Sequence, residues 1–101
     1  MKIETSGQNV RISDIPELTT VNSGVFREQV FTALPEELSL VEIDLSQTRF
    51  VDSSGLGALF ALYRNTREPD GVVLRLLHPR PEIQQLLELT QMQQLFEIVQ
   101  R

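Results

Sequence analysis

Ser53 and Ser54 are adjacent hydroxyls held between Asp52 and a pair of glycines, in the run Phe50-Val51-Asp52-Ser53-Ser54-Gly55-Leu56-Gly57-Ala58-Leu59-Phe60. A serine can attack an acyl carbon if a base takes its proton, or it can accept a phosphoryl group. The first chemistry finds no partner here. His78 is the only histidine and completes no recognisable Ser-His arrangement, and no glycine stands two residues before either serine, as a nucleophile elbow requires. Gly55-Leu56-Gly57 lacks the third glycine of a dinucleotide fingerprint and the Gly-Lys-Ser/Thr end of a phosphate loop. Asp44 and Asp52 could be argued into an acid-base or metal pair. With no third oxygen ligand or base nearby, Asp44 reads instead as finishing a strand and Asp52 as capping a helix. The chain therefore reads as having no catalytic residues, no metal ligands and no cofactor of its own.

The elements around the serines are clear. Leu40-Val41-Glu42-Ile43-Asp44-Leu45 alternates, which predicts a strand with Val41, Ile43 and Leu45 on one face. After the serines, Leu56, Leu59, Phe60 and Tyr63 recur at helical steps, predicting a second helix from about Ser54 to Thr66 with these residues as its apolar stripe. The serines thus sit where a strand hands over to a helix N-terminus. Asp52, Ser53 or Ser54 can cap the orphan N–H groups there, and the helix dipole favours negative charge. A phosphate on either serine would add about −1.5 to −2 charges at a position that tolerates them. Cap and switch both remain open on spacing alone. Gly55 and Gly57, without β-carbons, would let another protein or a nucleotide phosphate approach the first helical turn.

Elsewhere, Lys2–Thr5 and Asn9–Ser13 alternate around Ser6-Gly7-Gln8, predicting an antiparallel hairpin whose first strand is short. Thr19-Thr20-Val21-Asn22 offers caps for a first helix carrying Phe26, Val30, Ala33 and Leu34 inward until Pro35 stops it. Gln47-Thr48-Arg49 reads as a turn or bulge before Phe50. Arg67-Glu68-Pro69-Asp70-Gly71 is a cluster of turn formers, and Val72–Leu77 is the apolar run of a parallel strand. Pro81 opens a third helix with Ile83, Leu86, Leu87 and Thr90 inward and Gln84, Gln85, Gln91, Gln93 and Gln94 in solvent. Leu95–Val99 supplies a last strand.

With 101 residues the chain makes one domain, residues 1–101, able to bury roughly two thirds of its unfolded surface. Neither a signal peptide nor a membrane-spanning run is expected, and without cysteine there are no disulfides. The formal charge of −5 and the scattered basic residues argue against nucleic acid.

Asp-Ser-Ser-Gly-Leu-Gly after Phe-Val resembles the phosphorylation loop of the STAS domain, the fold of bacterial anti-sigma factor antagonists. The flanks agree: Pro16-Glu17-Leu18, the Leu40–Ser46 strand, His78-Pro79-Arg80-Pro81, and Leu87–Met92 leading to Leu95–Ile98. The resemblance implies a single α/β domain with a mixed four- to five-stranded sheet and about three principal helices. In the family the second hydroxyl of the motif accepts phosphate, which falls on Ser54, with Ser53 the second choice. The partner surface would comprise Thr19, Asp52, Ser53, Ser54, Gly55, Leu56 and Gly57. Thr19 stands where many antagonists carry an aspartate, and Gln91 where the family usually has the glycine that closes the third helix.

The resemblance further implies a cytoplasmic protein that binds an anti-sigma factor of the GHKL serine-kinase type and releases a sigma factor. That kinase would phosphorylate Ser54, and a phosphatase acting on phosphoserine would reset it. One alternative is a STAS subunit of a lipid-transport ABC system or other assembly, working without phosphorylation. Another is a small-molecule or nucleotide sensor with its anion site at the serine-loop helix. Many relatives continue into a further helix after the last strand. Apolar surface near Ile98 and Val99 would then need a partner or a second copy, a homodimer, to cover it, unless the edge is simply short.

Overall fold

The computed structural model describes residues 1–66 and 71–100; of the turn cluster expected at 67–71, residues 67–70 lie outside the described set. A five-stranded sheet runs in the order β1 (Lys2–Ser6), β2 (Asn9–Ser13), β4 (Leu40–Asp44), β6 (Val73–Leu77), β7 (Glu97–Val99). Among the described residues only β1 and β2 pair antiparallel, closed by a tight turn in which Gly7 takes φ 60°. The other pairs are parallel, so each strand must return over the sheet through a helix: α1 (Ser23–Ala33), α2 (Ser53–Thr66) and α3 (Pro81–Leu89). The fold is the expected single α/β domain with a mixed sheet and three helices.

Alternation along the strands decides which face is covered. Val10, Ile12, Val41, Ile43, Leu74 and Leu76 are buried and join Phe26 and Val30 of α1, Ala58, Leu59 and Leu62 of α2, and Ile83 and Leu87 of α3 in one core. Each of these side chains larger than alanine contributes about 1.5–3 kcal/mol from leaving water. The opposite face carries a charge ladder in register across all five strands, Glu4, Arg11, Glu42, Arg75 and Glu97. Arg75 reaches Glu42 at 3.0 Å and Glu97 at 3.1 Å, and Arg11 reaches Glu42 and Asp44 at 3.4 Å each. Half-exposed pairs of this kind add little individually, but they leave the ladder nearly neutral.

Several local expectations are corrected. The buried side of α2 is Gly55, Ala58, Leu59, Leu62 and Thr66; of the expected stripe Leu59 is buried and Leu56 and Tyr63 pack against the core, whereas Phe60 is 41% exposed. On α3, Thr90 is exposed and turns its hydroxyl back to the Leu86 carbonyl at 2.8 Å, closing the helix instead of joining the core. Gln93 is not fully solvated, since its Oε1 is buried. The last strand is only Glu97–Val99, because Met92–Gln94 forms a short 3₁₀ turn that carries Phe96 inward against Tyr63. Ile98 and Val99 are half-buried.

Phe50-Val51 does not extend β4. Thr48 turns the chain by bonding its N–H to the Leu45 carbonyl at 3.1 Å and its buried hydroxyl to the Ile15 carbonyl at 2.6 Å. The chain then forms β5 (Phe50–Val51), which pairs in parallel with β3 (Glu17–Leu18) as a separate two-stranded sheet. This small ribbon, which alternation was too short to reveal, carries the serine loop.

Two backbone positions make the packing testable. A β-carbon on Gly55 would lie 1.8 Å from the Leu18 carbonyl oxygen, whereas one on Gly57 would meet nothing within 4 Å. Gly55→Ala should therefore cost at least about 1–3 kcal/mol, and Gly57→Ala should hold or raise stability by up to about 1 kcal/mol. Thermal melting would separate them, at about 4–8 °C per kcal/mol in a domain of this size. Gln91 takes φ 62° in the left-handed region that suits glycine, so Gln91→Gly should stabilise the fold by about 1 kcal/mol in urea titration.

Candidate functional site

The β3–β5 pairing places Leu18 beside Val51, so the two chains emerge side by side as Thr19-Thr20 and Asp52-Ser53-Ser54. The Asp52 N–H donates to the Leu18 carbonyl at 3.3 Å, and this contact anchors the start of α2. Gly55 then lies directly over Leu18. Its missing β-carbon makes room for the chain's own backbone, not for a partner or a nucleotide phosphate as the sequence suggested.

Asp52 is the N-cap of α2. Its Oδ1 accepts from the Gly55 N–H at 3.0 Å while its carbonyl accepts from the Leu56 N–H at 2.9 Å. Its other oxygen, Oδ2, accepts from the Thr20 N–H at 2.9 Å and the Thr20 hydroxyl at 3.1 Å. The N–H donors of Thr20 and Gly55, more than anything else, hold the Asp52 carboxyl below its ordinary range. One carboxylate thus ties the α2 N-terminus to the β3–α1 turn. Asp44 is used elsewhere: Oδ1 accepts from the Ser46 N–H at 2.9 Å and Oδ2 pairs with Arg11. Burial works to raise the Asp44 carboxyl, but the Ser46 hydrogen bonds and the Arg11 charge hold it low. The two aspartates form no shared site, and among the described residues no group of three or more acidic, histidine or cysteine side chains could hold a metal ion.

The serines differ. Ser53 is exposed, while Ser54 is half-buried with its Oγ 3.0 Å from the Thr20 Oγ1. Thr19, singled out in the sequence, is half-buried and turns inward on its own loop: its hydroxyl donates to Glu17 at 3.3 Å and accepts from the Val21 N–H at 3.3 Å. Thr20 is the residue that sequence reasoning missed. Only the Leu18–Val51 register could have pointed to it, and that register lies in two-residue strands. Asn22 precedes α1 without capping it through its side chain. Instead its Oδ1 takes the Thr19 N–H at 2.8 Å and its Nδ2 donates to the Glu17 carbonyl, which stiffens the turn presenting Thr20.

Leu56 is half-buried and packs on the core, leaving Ser53, Gly57 and Phe60 on the outward side of α2, with Phe50 65% exposed nearby in sequence on β5. His78 stands after β6 at φ 52°, its N–H donating to the Val99 carbonyl at 2.7 Å, so its backbone role is to join β6 to β7. The cluster therefore offers an oriented hydroxyl, a carboxylate and a helix N-terminus. Among the described residues it offers no imidazole or amine to drive acyl chemistry.

The Asp52 clasp gives a pH signature. Because its folded-state pKa is depressed, its contribution is complete above the unfolded carboxylate value of about 4 and is lost as pH falls through the lower folded value. Urea denaturation should show Asp52→Ala less stable than the parent at pH 7, with the gap closing as pH drops below that window. A gap that is the same at both ends would mean that the carboxylate charge does not hold the clasp.

No curated protein sequence matches the chain. Among solved structures, it superimposes on a Thermotoga maritima protein assigned as an anti-sigma factor antagonist with a TM-score of 0.87 at 20% identity, covering 99% of this chain and 86% of that one. It is similar to the anti-sigma factor antagonist SpoIIAA in its unphosphorylated form, with a TM-score of 0.81 at 20% identity over 96% of this chain and 85% of that one. An anti-sigma factor antagonist from Mycobacterium paratuberculosis gives a TM-score of 0.83 at 19% identity over 97% and 82%. At these identities the likeness speaks for the fold. The family model of the STAS domain matches residues 2–101, and by that match over nearly its whole length the chain belongs to the STAS domain family.

Proposed function

We propose that this protein is an anti-sigma factor antagonist switched by phosphorylation of Ser54. In the unphosphorylated state it binds an anti-sigma factor that is also a GHKL-type serine kinase, and so frees a sigma factor in the cytoplasm. The kinase transfers a phosphoryl group to Ser54 from ATP and Mg²⁺ that it holds itself, and a phosphatase restores the hydroxyl. This chain is then substrate and binding surface, with no catalytic residues. Thr19, Asp52, Ser53, Ser54, Leu56 and Gly57 form or flank the docking surface, and Gly55 serves it from below by letting α2 sit on β3.

The observation that carries the reading is the half-exposed Ser54 hydroxyl in the first turn of α2, hydrogen-bonded to Thr20 and two bonds from the Asp52 carboxylate. Membership of the STAS family and three structural neighbours described as anti-sigma factor antagonists support it. A phosphate here would bring about −1.5 to −2 charges next to Asp52 and onto the docking surface. Binding would be lost through repulsion and desolvation, with no need to refold the domain.

The test is an affinity capture from native lysate with wild-type, Ser54→Ala and Ser54→Asp baits, each checked for an unchanged melting temperature, with bound proteins identified by mass spectrometry. A GHKL-type kinase retained by the first two and at least about tenfold weaker on the third supports the switch, which corresponds to about 1.4 kcal/mol of lost binding. Equal retention by all three, or recovery of permease and ATPase subunits, would contradict it.

A further inference from the structure

The hydrogen atoms in the Asp52–Thr20–Ser54 chain can be assigned, and the assignment gives Thr20 a role. At neutral pH the Asp52 carboxylate only accepts, so the Thr20 hydroxyl must give it its single hydrogen across 3.1 Å. The Thr20 oxygen then has only lone pairs to offer. The 3.0 Å contact with Ser54 is consequently a donation from Ser54 to Thr20. This settles the direction of a contact that distance alone leaves ambiguous. It also turns the Ser54 proton toward Thr20 and leaves the Ser54 lone pairs aimed away from the clasp.

Resting on the Ser54 phosphorylation reading above, we propose that Thr20 is a positioning residue for that reaction: it fixes the Ser54 hydroxyl rotor in the orientation that can receive phosphorus, and thereby selects Ser54 over Ser53. In the transfer, the bond from the Ser54 Oγ to the γ-phosphorus forms as the bond from that phosphorus to the β,γ-bridging oxygen breaks. The nucleoside diphosphate leaves with the electron pair. The Ser54 proton is lost to solvent as the new bond completes, so Thr20 and Asp52 orient the hydroxyl without taking up its proton. Transfer of this kind depends chiefly on placement and little on a strong base, so holding the hydroxyl in one orientation is what the Thr20–Asp52 chain contributes. Ser53 is exposed, and among the described residues no comparable chain holds its hydroxyl.

Thr20 is exposed, and its backbone N–H bond to Asp52 does not depend on its side chain, so Thr20→Val removes the hydroxyl while keeping shape and fold. Two measurements test the proposal. In a carbon-13 titration of the Asp52 carboxyl, Thr20→Val should move the midpoint upward, toward the ordinary range, and Thr20→Ser should restore it. In steady-state phosphorylation with Mg-ATP and the kinase captured on the wild-type bait, Thr20→Val should lower kcat for Ser54 by at least about tenfold with KM held, and raise the share of phosphate on Ser53. Thr20→Ser should recover the rate. A Thr20→Val protein phosphorylated on Ser54 at the wild-type rate, or an Asp52 midpoint that does not move, would overturn the role of Thr20 alone. A wild-type protein that accepts no phosphate would overturn the switch reading and this inference together.

Discussion

The contact on which the site depends is between two pieces of backbone: the first turn of α2 lies against Leu18 so closely that only glycine fits at position 55. The same Leu18 carbonyl accepts the Asp52 N–H. With α2 seated there, Asp52 can reach across to Thr20, and Ser54 comes within hydrogen-bond range of the same hydroxyl. Move α2 outward by the width of a methyl group and each of these bonds lengthens together. The glycine is thus a requirement of packing whose benefit appears one turn away, in the geometry of the hydroxyls.

Support comes from behind. Asn22 braces the turn that carries Thr20, and the buried Thr48 hydroxyl holds the loop that feeds β5. Arg49 adds its N–H to the Pro16 carbonyl at 2.9 Å, extending the seam between the two short strands. The five-stranded sheet contributes rigidity at a distance, with helices over one face and a nearly neutral charge ladder on the other. A rigid platform suits a switch read out by charge, because a phosphate on a fixed helix N-terminus alters the surface potential without asking the core to move.

Much of this was legible in the residues. The long alternating strands, the three helices and the serine junction followed from periodicity and turn chemistry, because each of those elements repeats its pattern often enough to read. The left-handed close of α3 at Gln91 was legible through the family resemblance. What stayed hidden was set by tertiary contact. Two-residue strands carry no period, so β3 and β5 were invisible, and with them the meeting of Thr20 with Ser54. The buried stripe of α2 was misread only at Phe60, where close packing favoured Gly55 and Ala58 over the bulkier ring, while Leu56, Leu59 and Tyr63 face the core as expected. Thr19 drew attention by its position next to Glu-Leu, yet its hydroxyl serves its own turn.

The central claim is that the protein cycles between a free and a phosphorylated Ser54. The most direct measurement is phosphosite mapping by tandem mass spectrometry on the protein isolated from its own cells, with phosphatase inhibitors present from lysis onward, across exponential and stressed growth. The account predicts singly phosphorylated chains whose phosphate maps to Ser54, in a proportion that changes between the two conditions. Phosphate confined to Ser53, or chains that stay unmodified in both conditions, would contradict it.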